Sequence, residues 1–316
     1  MSSVPPQLRS LVWSQQTGRV RALWRVLVPV LAGFLALQLA GASAVALDLT
    51  RGTTMVVAFL GTTPVMLAAL AISARYLDHR PVREYGYRLS RDWWRDLLVG
   101  LGLGALIVAM AFVIARAAGS LQVTSRRLVP DAVSLGRLLI FFVAFVGVAF
   151  YEEYIYRGSF ITNTVEGLRA RGVTHSVAAS AALLTSTLTF ALIHLPSAVA
   201  ADASLTLVAV KTGLLGGLFG VAYLRTDELA FPMGLHLGVN YGLMNVFGIG
   251  AAETAGVPTL LTVEHTVTGL WDPARGIPLF VAILAGYVLV IAWTQWHQHD
   301  RLVQNRTPST HSHSDP

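Results

Sequence analysis

The sequence predicts an all-α fold, a polytopic membrane bundle of about eight transmembrane helices. Of 316 residues, 54% are hydrophobic and only 13% charged, with a mean hydropathy of +0.60. That is too little charge to cover a soluble surface. Apolar runs long enough to cross a hydrocarbon core of about 30 Å recur along the whole chain. The formal charge of +6 comes almost entirely from arginine, Lys211 being the only lysine. These arginines lie in short segments between the runs, as determinants of membrane orientation do, so no nucleic-acid partner is expected. With no cysteine, disulfides and thiolate chemistry are excluded.

Residues 1–24 form a polar, arginine-bearing lead-in. The first run, 26–47, contains Ala44–Ala46, which resembles a signal-peptide cleavage site. Its apolar stretch exceeds the roughly 7–15 residues of a signal sequence, so it reads as a span. The second run covers 53–73. The arginine-rich stretch that follows, RPVREYGYRLSRDWWRDLL, suits a short interfacial helix with Trp93 and Trp94 at headgroup level. Runs at 97–118 and 136–156 come next, then the polar segment ITNTVEGLRARG, with a turn expected at Gly172. The remaining runs are 177–195, 203–224, 229–249 and 277–296. Gly100 and Gly104 in the third, and Gly213, Gly216, Gly217 and Gly220 in the sixth, are spaced for close helix approach. Residues 301–316, with His311 and His313, read as a disordered tail. The whole is one transmembrane domain, 25–300, with its chemistry in a core of 136–247. Eight spans put sixteen arginines on one side and six on the other, which places both termini in the cytoplasm.

Ionisable residues inside spans are costly and mark function. The fourth run ends FYEEYIYRGSF. Glu153 and Arg157 are four apart and share a helical face, so they are expected to pair. Glu152 points about 100° away, without that partner. His194 closes the fifth run, and His236 and Asn240 share a face of the seventh. Glu152 lies 20 residues before Gly172 and His194 lies 22 after it. At about 1.5 Å per residue, an antiparallel hairpin brings both to one level. His236, a few residues past the turn near Glu228, sits roughly 10 Å deep. A carboxylate beside an imidazole can activate water as a general base, and a histidine and an asparagine one turn apart can donate to a developing oxyanion. Alternatively, Glu152, His194 and His236 are three ligands of a catalytic zinc with a fourth position for water. The HExxH pattern is absent and Asn240 is a poor ligand, so the residues lean towards metal-free chemistry. The cofactor expectation is none, or zinc.

Glu152-Glu153-Tyr-Ile-Tyr-Arg157, Phe190-Ala-Leu-Ile-His194 and His236-Leu-Gly-Val-Asn240, in this order on successive spans, resemble the motifs of the CPBP intramembrane proteases. That family includes the CAAX prenyl endopeptidases and the bacterial Abi proteins. The resemblance implies that Glu152 and His194 activate a water, that His236 and Asn240 stabilise the oxyanion, and that Glu153 and Arg157 support them. It further implies an integral protein of a bacterial plasma membrane. The expected partners are membrane lipid and a protein or peptide substrate, lipidated or not; it says nothing of oligomeric state. Two other classes compete: a non-catalytic scaffold or bacteriocin-immunity partner, and a transporter in which Lys211 and Glu152 mark an ion path. Transporters often carry internal repeats or paired broken helices, and neither is visible here.

Overall fold

The computed structural model describes residues 10–15, 17–251 and 256–304. Among these, seven helices are long and apolar enough to cross a membrane. They are α1 (Ala22–Ala46), α2 (Arg51–Leu77), α3 (Arg91–Ala117), α4 (Ala132–Arg169), α5 (His175–Ile193, followed by the short α6, Leu195–Ala200), α7 (Leu205–Thr226) and α9, the final helix Ile277–Gln304. The chain is thus an all-α integral membrane bundle. Polar residues start four of the spans. The side chains of Thr50, Ser90, Asp131 and Ser204 each accept a backbone N–H of the first turn of α2, α3, α4 and α7.

The seventh expected span, 229–249, is a different object. α8 runs from Ala230 to Tyr241 and continues through a wide π-helical turn, Gly242–Val246. It is shorter than a span and buried along nearly its whole length. Its apolar character serves protein packing rather than lipid contact. Asp227, in the left-handed conformation (φ 53°), ends α7 and begins the turn into it. Gly100 and Gly104 of α3 face Gly234 and Gly238 of α8. A Cβ on any of the four would strike backbone of the partner helix. The small-residue spacing on α3 therefore lets two backbones touch, fixing the rotation and height of α8.

α4 continues beyond the apolar run as one 38-residue helix to Arg169, as a helical hairpin turning at Gly172 requires, with a π-helical stretch at Tyr154–Ile161. Gly172 (φ 84°) makes the turn to α5, helped by Val173 N–H donating to the Leu168 carbonyl at 3.3 Å. Two short antiparallel sheets were not anticipated. Trp13–Ser14 (β1) pairs with Arg19–Val20 (β2), so the lead-in holds a hairpin. Leu121–Arg126 (β3) pairs with Leu261–His265 (β4) at the opposite end, with a bulge between Val123 and Ser125.

The expected interfacial helix resolves into a single turn, Val82–Tyr85, and the start of α3 at Arg91. Trp94 is exposed, but Trp93 is buried among Leu229, Ala230 and Met233, its Nε1–H donating to the Gly86 carbonyl at 2.9 Å. Trp93 is on the inward face of α3 along with Gly100, so packing rather than the headgroup layer claims it. A buried ionic cluster at the same end ties α1 to the end of α2 and to α4. Arg25 donates to Asp78, Asn163 and Glu166 at 3.1, 2.7 and 2.9 Å, and Arg80 donates to Glu166. Tyr85 donates to Asp78, and burial, with that carboxylate beside it, pushes its hydroxyl well above the ordinary range. Residues 301–304 continue α9; His311 and His313 lie outside the described residues.

Candidate active site

Glu152 and Glu153 lie halfway along α4, where the helix widens into its π-helical stretch. Glu153 is fully buried, and one oxygen, Oε1, takes two donors. Arg157 Nη1 lies at 3.0 Å and His236 Nδ1 at 2.8 Å. The Glu153–Arg157 pair is the one the four-residue spacing predicts. The bond to His236 is not legible in the sequence, because it joins residues 83 apart. Arg157, also buried, donates from Nη2 to the Gly216 carbonyl at 2.9 Å. Its guanidinium lies over the rings of Phe190 (4.7 Å to the centroid) and Phe219 (5.4 Å). Such contacts lower the cost of a cation that water does not reach.

α8 carries His236 into this cluster. Its imidazole stacks on Phe219 of α7 with centroids 4.8 Å apart and planes 18° from parallel. With Nδ1–H donated to a carboxylate, the other ring nitrogen, Nε2, faces Glu152 Oε2 at 3.6 Å. Nε2 is an acceptor in the neutral ring and a donor in the imidazolium. The Glu153 carboxylate fixes the orientation of the ring.

Glu152 Oε2 makes no hydrogen bond among the described residues. His194 stands at the junction of α5 and α6, and its Nδ1 lies 2.7 Å from the Phe190 carbonyl. A carbonyl only accepts, so Nδ1 carries the proton and Nε2 keeps a lone pair for a water. The imidazole acts electrostatically on Glu152 and His236, and Phe190 touches both rings, with centroids at 4.6 Å for His194 and 6.2 Å for His236. Ser186 Oγ donates to the Tyr156 carbonyl at 2.7 Å and locks α5 against the wide turn of α4. Asn240 is half-buried, one turn beyond His236, and its amide makes no hydrogen bond among the described residues. The fold therefore gathers α4, α5 and α8 at one level, as the hairpin estimate requires. Phe219 and the Gly216 carbonyl are additions of the structure: aromatic residues are ordinary in spans, and a backbone acceptor leaves no trace in a sequence.

Among the described residues, no three His, Asp or Glu side chains are grouped so as to hold a metal ion. Nδ1 of His236 is held by Glu153, which leaves Nε2 as the ring nitrogen that faces Glu152.

Residues 134–242 match the family model of the Rce1-like type II CAAX prenyl endopeptidases. The matched stretch contains all three motifs, from Glu152 to Asn240. No curated protein and no solved structure matches the chain. Over that stretch, about a third of the chain, the sequence is similar to the CAAX protease family.

Proposed function

We propose that this protein is an intramembrane endopeptidase in which Glu152 and His194 hold and deprotonate a water, while His236 and Asn240 receive the oxyanion. Similarity to the protease family over residues 134–242 supports hydrolysis of peptide bonds in general. The observation that carries the finer assignment is the division of labour between adjacent acids. Glu153 Oε1 is engaged by Arg157 and His236, whereas Glu152 accepts no hydrogen bond among the described residues and holds Oε2 3.6 Å from His236 Nε2; Oε2 of each acid is buried without a hydrogen bond.

The water donates one proton to Glu152 and the other to the lone pair of His194 Nε2 as a hydrogen bond. As its oxygen bonds to the scissile carbonyl carbon, the first proton passes to Glu152. Negative charge on the carbonyl oxygen is met by Nε2–H of the His236 imidazolium and by the Asn240 amide. Collapse of the tetrahedral intermediate breaks the C–N bond, and Glu152 returns its proton to the leaving amine. Glu153, held by Arg157, keeps His236 oriented. No step passes through a metal.

The substrate class is a membrane-associated protein or peptide, lipidated or not, reaching the site from surrounding lipid. The catalytic unit is residues 25–300, in a bacterial plasma membrane with both termini cytoplasmic. Cleavage of a fluorogenic peptide library by full-length protein in nanodiscs tests the assignment. Glu152→Gln and His194→Ala should each lower kcat/KM by at least about 100-fold, the usual weight of general-base assistance. Full activity in either variant would refute the assignment. A biological effect that persists in both without cleavage would favour a scaffold.

A further inference from the structure

Tyr156 is buried in the wide turn of α4, four residues after Glu152 and so on the same side of the helix. Three contacts hold it in the wall of the site. Its ring meets Phe190 edge-on, with centroids 5.1 Å apart and planes at 81°, and Phe190 in turn touches the rings of His194 and His236. The Arg157 guanidinium stands 5.9 Å from the Tyr156 ring centroid. The Tyr156 carbonyl accepts from Ser186 Oγ at 2.7 Å. None of these contacts uses the phenol hydroxyl, which makes no hydrogen bond among the described residues. Its electrostatic neighbours are Glu152 and Arg157. Glu152 has the complementary need: an ionised carboxylate only accepts, and its Oε2 is buried without a donor. Leaving a buried donor or acceptor unpaired costs more than a hydrogen bond returns, so such atoms call for a partner. Tyr151, the other phenol near Glu152, also has a buried hydroxyl without a partner. Adjacent residues of a helix project about 100° apart, however, so Tyr151 approaches Glu152 from a different face.

We propose that Tyr156 is a positioning residue for the general base: its hydroxyl donates to the Glu152 carboxylate, directly or across one water, and holds that carboxylate where it takes the proton. A polar gap too wide for a direct bond is the ordinary place for a bridging water. The hydroxyl serves both protonation states of Glu152. It donates to the carboxylate before the water is deprotonated, and after a rotation about its C–O bond it accepts from the carboxylic acid. The locked ring makes this possible, because Phe190, Arg157 and Ser186 fix where the hydroxyl is presented. This inference rests on the protease reading above and deepens it by naming the residue that orients its base.

The test uses full-length protein in nanodiscs and a fluorogenic peptide that wild type cleaves. Tyr156→Phe keeps the ring against Phe190 and Arg157 and removes only the hydroxyl. It should lower kcat by about tenfold or more, the weight of one hydrogen bond to a charged group, with KM within about twofold of wild type. Its melting temperature should match that of wild type, because the ring contacts remain. Tyr151→Phe, which removes a hydroxyl from the neighbouring face, should keep kcat within about twofold of wild type. Tyr156→Leu, which loses the ring as well, should lower both kcat and the melting temperature. An unchanged kcat in Tyr156→Phe would overturn the proposal, as would a loss confined to KM or one that Tyr151→Phe matches. A fall in the melting temperature of Tyr156→Phe as large as that of Tyr156→Leu would assign the residue to packing and overturn it too. Each of these results leaves the protease reading standing. Absence of cleavage of every peptide by wild type would instead sink that reading, and the role of Tyr156 with it.

Discussion

Replacing Glu153 by glutamine keeps the shape of the side chain and removes one buried charge. In the native protein Glu153 Oε1 balances Arg157 at 3.0 Å and His236 at 2.8 Å, and all three side chains are buried. Breaking a buried pair by neutralising one member typically costs about 3–5 kcal/mol, because the other charge stays buried. Arg157 would keep the Gly216 carbonyl and its two aromatic faces, and cation–π contacts of this kind return about 1–2 kcal/mol. Those contacts exist already, so they limit the loss without adding anything. The expected cost is therefore about 3 kcal/mol, a shift of roughly 100-fold in the unfolding equilibrium. The double variant Glu153→Gln/Arg157→Met removes the stranded cation and should recover at least about 1 kcal/mol of that loss. Reversible unfolding of the four proteins in mixed micelles, with a helical signal as readout, gives the cycle directly. A Glu153→Gln protein within about 0.5 kcal/mol of wild type, or a double variant whose loss equals the sum of the singles, would refute the electrostatic account of this cluster.

Asn240→Ala should lower kcat by about 100-fold with little change in KM, as removal of one oxyanion donor does; an effect confined to KM would assign Asn240 to ground-state binding. Gly104→Ala puts a methyl group against the backbone of Leu235 and Val239. It should destabilise by about 1–3 kcal/mol as overpacking does and displace the helix bearing His236. Gly102→Ala, which meets nothing within 4 Å, should be neutral or stabilising in the same melts. The backbone and side chain of Ser134 hold the Asp131 carboxyl below its usual range. Its contribution is present above a pH of about 4, the ordinary aspartate value, and fades as pH falls through the lowered one. Asp131→Asn should flatten that acid-side dependence in thermal melts, and an unchanged slope would show that the cap does not titrate as argued. For metal, elemental analysis of protein active in chelator should find no stoichiometric zinc. Stoichiometric zinc lost together with activity would require a different first step.

The sequence by itself determined the fold class, because hydrocarbon leaves a backbone few ways to satisfy its polar groups and long apolar runs must become helices. It also determined the Glu153–Arg157 pair, since four residues of helix fix two side chains on one face without help from elsewhere. The position of the Gly172 turn and the common level of Glu152, His194 and His236 followed from the constant rise of the helix. The tertiary structure decided what periodicity cannot carry. Hydropathy does not separate a lipid-facing helix from one enclosed by others, so only packing showed α8 to be a short central helix. Trp93 was drawn inward from the expected interface for the same reason, by the face of α3 that also bears Gly100. The ionic cluster of Arg25, Asp78, Arg80, Asn163 and Glu166 joins segments more than 50 residues apart, and the bond from His236 to Glu153 spans 83. Such contacts leave no local pattern, because they arise only when separate helices meet. The adjacent acids were visible as a doublet from the start; their unlike partners, Arg157 and His236 on Oε1 of Glu153 and no hydrogen-bond donor among the described residues on Glu152, exist only in the assembled bundle.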